Sequence, residues 1–201
     1  MELNIDKTED IYRKLQLHLD QMPVPFPETE SGVEIKILKQ LFSEEEAYIA
    51  LRLSIIGESV DKIHRRFSKG EISREQLELI LDGLDKKGAI SSSRNSKGEK
   101  KYGKLPLAIG IFEYQVNRLT KEIAEDFFKY EDDGFADAFL KSKNKQIRTI
   151  PVNIDIEPEF LVGSYDNARG LISRSPGPFA VMNCVCRQAR EKLGDTCKQT
   201  N

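Results

Sequence analysis

One stretch of the chain decides its fold, residues 59–104, with the sequence SVDKIHRRFSKGEISREQLELILDGLDKKGAISSSRNSKGEKKYGK. Ser59 begins a short helical segment, and a glycine-containing turn follows it. Ser73 and Gln76 then form a Ser-x-x-Gln capping box, which is typical of a helix start. Apolar residues at helical spacing share one face of this second helix: Leu77, Ile80, Leu81 and Leu84.

Two extended segments follow the second helix. Gly88 stands where a helix C-cap is expected, residues 89–94 and 99–107 resemble strands, and residues 95–98 form the turn between them. Two helices joined by a tight turn and followed by a two-stranded ribbon are the order of a winged helix-turn-helix. We therefore predict a winged-helix domain over residues 33–110.

The flanking sequence predicts mostly helices. An amphipathic helix and a proline-rich strap make up residues 1–32. The patterns in residues 111–201 are helical at 111–119, 120–131 and 135–141 and strand-like at 147–156 and 179–182. The predicted fold class is α+β and mostly helical, with the winged helix-turn-helix followed by a helical segment, a short sheet and a cysteine loop.

Composition argues against membrane insertion and export. The 201 residues are 39% apolar with a net charge of −2, and the apolar runs are far too short to span a bilayer. The N-terminal sequence MELNIDKTED lacks the basic and apolar regions of a signal peptide. We therefore expect a cytoplasmic protein.

The predicted ribbon carries the basic candidates for nucleic-acid contact. Residues 60–104 contain 12 Lys and Arg against 7 Asp and Glu. The basic side chains of the ribbon are Arg94, Lys97, Lys100 and Lys101. The outward side chains of the preceding helix are largely acidic, at Glu75, Glu78, Asp82 and Asp85. Because carboxylates repel phosphates, DNA is an alternative partner that we rank below a structural or interaction role for this fold.

The cysteines form the strongest chemical signal in the chain. Cys184, Cys186 and Cys197 are the only three, and they are spaced as Cys-x-Cys-Arg-x9-Cys. In a reducing cytoplasm such clustered thiols favour metal or cluster ligation over disulfides. An iron–sulfur cluster, zinc and free thiols all remain compatible with the spacing. Arg187 would lower the thiol pKa values, and Asn183 could donate hydrogen bonds to cluster sulfur.

Several segments together resemble a known family. They are FPETESGVEIKILKQLFSEEEA, IGIFEYQVNRL, IRTIPV and FAVMNCVCRQAREKLGDTC. The chain resembles the N-terminal part of bacterial and archaeal 4Fe-4S ferredoxin-domain proteins that carry an N-terminal winged helix. The resemblance implies that Cys184, Cys186 and Cys197 match the first three ligands of a cysteine set whose fourth member lies beyond this sequence. It also implies a downstream ferredoxin domain or a redox partner protein.

The sequence thus predicts an iron–sulfur (4Fe-4S) protein that transfers electrons as part of a larger redox protein or complex. We expect an electron-transfer or accessory component, since no nucleophile–base pair, phosphate loop or HExxH motif is present. One alternative is a winged-helix transcriptional regulator whose cysteines sense redox state or metal. Another is a zinc-stabilised interaction module, and a homodimer is compatible with each.

Overall fold

The computed structural model describes residues 10–143 and 165–195. Its elements in chain order are α1 (Ile11–Asp20), α2 (Val33–Leu41), α3 (Glu44–Ala50), α4 (Val60–His64), α5 (Arg74–Lys86), β1 (Ile90–Arg94), β2 (Lys100–Lys104), α6 (Lys121–Tyr130), α7 (Ala136–Lys141), α8 (Tyr165–Arg174) and α9 (Val185–Lys192). The described part of the chain is therefore mostly helical with one small antiparallel sheet, and the predicted α+β class is confirmed at that level.

The chain divides into two compact units. One contains residues 1–146 and 183–201, and the other contains residues 147–182. The cysteine segment thus belongs to the same unit as the N-terminal helices. In the described residues of both units, no helix has the length and apolar character needed to cross a membrane.

The proline-rich strap after α1 is fixed by polar contacts as well as by burial. Phe26 is 1% exposed, and its N–H donates to Asp20 Oδ1 at 2.7 Å. Gln16 Nε2 donates to the Phe26 carbonyl, and the Tyr130 hydroxyl donates to the Pro27 carbonyl at 2.9 Å. Since these backbone groups have protein partners, the strap packs into the core without the free-energy cost of burying unpaired polar groups.

Residues 58–104 form what we call the helix–ribbon module. The Ser73 hydroxyl accepts from the Gln76 N–H, while the Gln76 side chain accepts from the Ser73 N–H, so the predicted capping box begins α5. Strands β1 and β2 pair with Ile90 opposite Lys104. Glu58 and Tyr102 exchange two backbone hydrogen bonds of 2.9 Å, which adds a short third extended segment beside β2.

An ion-pair network ties the ribbon to the outer face of α5. Lys100 Nζ lies 2.6 Å from Asp82 Oδ1 and 2.8 Å from Asp85 Oδ2. The Tyr102 hydroxyl also donates to Asp82 at 2.6 Å. Hydrogen bonds from Lys100 and Tyr102 lower the pKa of Asp82, so its carboxylate stays ionised and paired.

Two predicted elements are wrong. Residues 111–119 do not form one helix, because the Ile111 and Phe112 N–H groups bond to carbonyls five residues earlier and a short 3-10 turn, Glu113–Gln115, follows. Asn117 then adopts a left-handed conformation with a φ of 66°, which ends helical geometry.

The predicted strand at residues 179–182 is also absent. These residues have no ladder partner within the described part of the chain, and Pro176 and Pro178 before them have no N–H to contribute to a sheet. The strand predicted at residues 147–156 lies outside the described residues.

Substitutions on the inner and outer faces of α5 should differ sharply in their effect on the free energy of unfolding. Leu81 is fully buried and Leu79 is 73% exposed, although both lie in the same helix. We expect Leu81→Ala to lower the free energy of unfolding by about 3 kcal/mol, because it leaves a cavity in the core. The matched variant Leu79→Ala should change it by less than about 0.5 kcal/mol in urea unfolding. Equal losses in the two variants would contradict the assigned faces.

Candidate functional site

Helix α9 presents the cysteines, and it is anchored through its apolar side. Val185 and Ala189 are one turn apart and buried, and α9 packs against α6. The Arg190 guanidinium lies over the Phe128 ring at 5.5 Å. The first turn of α9 therefore has a defined position on the larger unit.

A Schellman motif ends α9. The Gly194 N–H donates to the Glu191 carbonyl at 3.0 Å, and the Asp195 N–H donates to the Arg190 carbonyl at 2.9 Å. Gly194 has a φ of 81°, a conformation that glycine adopts without a steric penalty. The chain reverses here before Cys197, which lies outside the described residues.

The helix start separates the environments of Cys184 and Cys186. Cys184 is the N-cap residue with extended geometry, whereas Cys186 lies within the first turn of α9, so the second cysteine is not in the predicted loop. Both residues are exposed and neither is in a disulfide. The two thiols interact electrostatically with each other, so they lie near one another at the start of α9.

The two thiols differ in acidity. Interaction with the backbone N–H of Arg187 lowers the pKa of Cys184, and the Arg187 charge and the Cys186 thiol add to this effect. Partial desolvation raises the pKa of Cys186, as do the negative charges of Cys184 and Glu113. Cys184 forms no side-chain capping hydrogen bond, and the N–H groups at the helix start favour its thiolate through their partial positive charge.

The amide clasp is a set of three hydrogen bonds that joins Asn117, Asn183 and Gln188. The Asn117 N–H donates to Gln188 Oε1 at 2.8 Å, and Gln188 Nε2 donates to Asn117 Oδ1 at 2.9 Å. Asn183 Nδ2 also donates to Asn117 Oδ1, at 2.6 Å. Asn183 thus contacts another carboxamide here, and its predicted contact with cluster sulfur stays a prediction. Sequence reasoning missed Asn117 and Gln188, since nothing local relates residues so far apart.

Within the described ranges, no cluster of three or more His, Cys, Asp or Glu side chains is placed to hold a metal ion. The two histidines are engaged elsewhere, because His18 Nε2 lies 3.0 Å from the Leu53 carbonyl and His64 Nε2 lies 2.9 Å from the Ile72 carbonyl. The described residues therefore bring together two thiols, Cys184 and Cys186, as soft-metal ligands.

The basic residues of the ribbon have different surroundings. Lys100 is held by the α5 carboxylates, and Arg94 donates to the Gly98 carbonyl at 2.8 Å. Lys97 is exposed and Lys101 is half-buried. No carboxylate of the described chain forms an ion pair with Lys97 or Lys101. Of the four predicted residues, these two are the best placed to meet an external anion.

The unequal pKa values predict unequal thiol reactivity. At neutral pH we expect iodoacetamide to modify Cys184 severalfold faster than Cys186, because the thiolate is the nucleophile and a lowered pKa enlarges its fraction. Tandem mass spectrometry of the Cys197→Ser protein would measure both rates. The preference should shrink as the pH rises above both pKa values. A faster reaction at Cys186 throughout would contradict the described environments.

Comparisons of the chain with protein-family models, with curated proteins and with solved structures found no match. The resemblance to the N-terminal part of 4Fe-4S ferredoxin-domain proteins therefore stays a prediction. What the molecule offers for a functional assignment is the adjacent pair of thiols on α9 and the exposed basic side chains of the ribbon.

Proposed function

We propose that the chain binds an iron–sulfur cluster and takes part in electron transfer within a larger redox protein or complex. Cys184, Cys186 and Cys197 are its proposed thiolate ligands. The observation that carries this proposal is the adjacency of the Cys184 and Cys186 sulfurs at the exposed start of α9. Two thiols that lie this close together can reach a common soft metal centre with little rearrangement.

The local charge also suits thiolate ligation. The first-turn N–H groups of α9 and the Arg187 side chain place positive charge near Cys184, which favours its deprotonated form. Arg190 is less available, because it pairs with Asp195 at 2.9 Å and stacks on Phe128. Among the basic side chains near the thiols, Arg187 is therefore the one that we assign to offset the charge of bound thiolates.

An iron–sulfur cluster held by these cysteines would supply one-electron transfer, and this chain's own residues would hold and orient it. The remaining coordination would come from a group outside the described residues, such as a cysteine of a ferredoxin domain or of a redox partner. We further propose a cytoplasmic location, where a reducing environment keeps Cys184 and Cys186 as thiols. Zinc is the alternative occupant of the same thiols.

Anaerobic reconstitution with iron and sulfide tests this function. The wild-type chain should develop a broad brown absorption and retain iron and sulfide, because thiolate-ligated iron absorbs across the visible range. Cys184→Ser and Cys186→Ser should each lose most of the colour and of the bound iron. The control variant Ser175→Ala changes a small polar side chain outside α9, and it should retain both the colour and the bound iron.

Metal analysis of the same preparations separates the alternatives. A colourless wild-type protein that retains zinc through Cys184 and Cys186 would favour the zinc-stabilised interaction module. A wild-type protein that retains neither iron nor zinc after reconstitution would contradict both forms of the proposal.

A second candidate is a winged-helix regulator, and one observation favours it. The Glu58–Tyr102 bridge adds an extended segment before α4, so the module follows the order strand, helix, helix, strand, strand. On this basis we propose a winged helix over residues 33–110. Lys97 and Lys101 would then meet the DNA backbone, with Arg94 beside them. The outer carboxylates of α5 oppose close approach to phosphates, so contact would be limited to the ribbon.

The salt dependence of DNA binding tests the regulator. If Lys97 and Lys101 contact phosphates, the double variant Lys97→Glu/Lys101→Glu should bind more weakly, and its plot of log affinity against log salt should be shallower by about two. Lys121→Glu/Lys129→Glu makes the same charge change on the exposed face of α6 and serves as the control. Equal slopes in all three proteins, or no binding at low salt, would exclude ribbon-mediated DNA binding.

A further inference from the structure

We propose that Asn117 is a positioning residue that holds Cys184 and Cys186 in place for a shared ligand. The inference rests on the proposed thiolate function and deepens it, because it names the group that orients the ligand pair. None of the hydrogen bonds described for Asn117 involves a sulfur. Asn117 acts through Asn183 and Gln188, the other two members of the amide clasp.

The clasp brackets the two cysteines in the chain. Asn183 directly precedes Cys184, and Gln188 comes two residues after Cys186. Asn117 Oδ1 accepts from both amides, at 2.6 Å and 2.9 Å, while its own N–H donates to Gln188 Oε1. One carboxamide oxygen therefore ties down both ends of the segment that carries the thiols.

The backbone of the clasp is suited to this role. Asn117 has a φ of 66°, and asparagine is among the few residues other than glycine that adopt this region readily. The conformation turns its N–H and its side-chain oxygen toward the same partner, Gln188. The Gln188 N–H in turn bonds to the Cys184 carbonyl at 3.1 Å, so the clasp is continuous with the first turn of α9.

The anchor on the other side of the clasp is hydrogen-bonded to the core. Gln115, two residues before Asn117, is 4% exposed, and its Nε2 lies 3.2 Å from the Lys87 carbonyl and 3.2 Å from the Ile111 carbonyl. The Arg118 guanidinium donates to the Lys86 carbonyl. Asn117 is thus fixed between two residues that bond to the C-terminal end of α5. The hydrogen bonds that Asn117 makes to Asn183 and Gln188 therefore connect the cysteine segment to the protein core.

The cysteines need such a restraint because Cys184 lacks its own. Cys184 is exposed, and its side chain forms no capping hydrogen bond. Binding one centre through two thiols is tighter when part of the entropy of ordering them has been lost beforehand. The amide clasp supplies this preorganisation without occupying either sulfur.

A trivalent arsenical measures the arrangement of the thiols without iron. Phenylarsine oxide reacts with two thiols to form two As–S bonds and release one water, so tight binding requires both sulfurs on the same side. We would use the full chain with Cys197→Ser, in which only Cys184 and Cys186 remain. Asn117→Gly keeps the backbone conformation and removes the oxygen that accepts two hydrogen bonds.

We expect Asn117→Gly to bind phenylarsine oxide about tenfold more weakly, since two hydrogen bonds near the thiols are lost. Hydrogen exchange of the Gln188 N–H, which bonds to the Cys184 carbonyl, should accelerate by a similar factor. Asn117→Asp retains an acceptor oxygen and should behave like the parent. Asn95→Gly removes the same side chain from the ribbon turn, where Asn95 Oδ1 accepts from the Lys97 and Glu99 N–H groups, and is the matched control.

Unchanged arsenical affinity and exchange in Asn117→Gly would overturn the proposal, as would a parent protein that binds no more tightly than its Cys184→Ser variant. If Asn117→Gly fails to fold, Gln188→Ala removes two clasp hydrogen bonds from the surface of α9 and must weaken binding instead. These outcomes are independent of cluster formation. Tight arsenical binding by the parent, together with a wild-type chain that retains no iron, would contradict the iron–sulfur function and leave the positioning role intact.

Discussion

The buried carboxamide of Gln115 joins the helix–ribbon module to the part of the chain that presents the thiols. Its Nε2 is within hydrogen-bonding distance of the carbonyls of Lys87, Gly88 and Ile111. Gly88 permits this approach, since a Cβ there would lie 2.7 Å from the Tyr114 Cβ. The turn that follows Gln115 places Asn117, and Asn117 in turn contacts the residues that flank the cysteines. The position of the candidate site therefore depends on a polar contact inside the core.

The charged groups on the surface differ in whether they are already paired with an opposite charge. On α5, Asp82 and Asp85 both pair with Lys100, while Glu78 pairs with Arg74 at 2.7 Å. A face that is internally paired gains little from meeting a phosphate backbone, because existing pairs would have to break. The start of α9 differs, since its N–H groups and Arg187 act on an exposed sulfur that has no carboxylate partner among the described contacts. This contrast is why we place thiolate chemistry ahead of DNA binding.

Local sequence signals predicted the elements whose ends are set by local hydrogen bonds. The capping box at Ser73 forms, and Gly88 adopts a positive φ after α5. The failures have a common cause. Residues 111–119 have helical periodicity, but their backbone follows contacts with the end of α5, and residues 179–182 are apolar without a strand beside them in the described chain. Tertiary context overrode propensity at both places.

The sequence by itself determined which residues are the candidate ligands. Thiols are rare, and the spacing of Cys184 and Cys186 confines them to a few ångströms of chain, so their proximity needs no knowledge of the fold. Only the tertiary structure decided that Cys184 is the N-cap residue of a helix while Cys186 lies inside it, and that a carboxamide 66 residues before Asn183 hydrogen-bonds to it. Hydrogen bonds between Asn117, Asn183 and Gln188 depend on backbone paths that converge only after folding, and amide side chains leave no periodic trace of such contacts in the sequence.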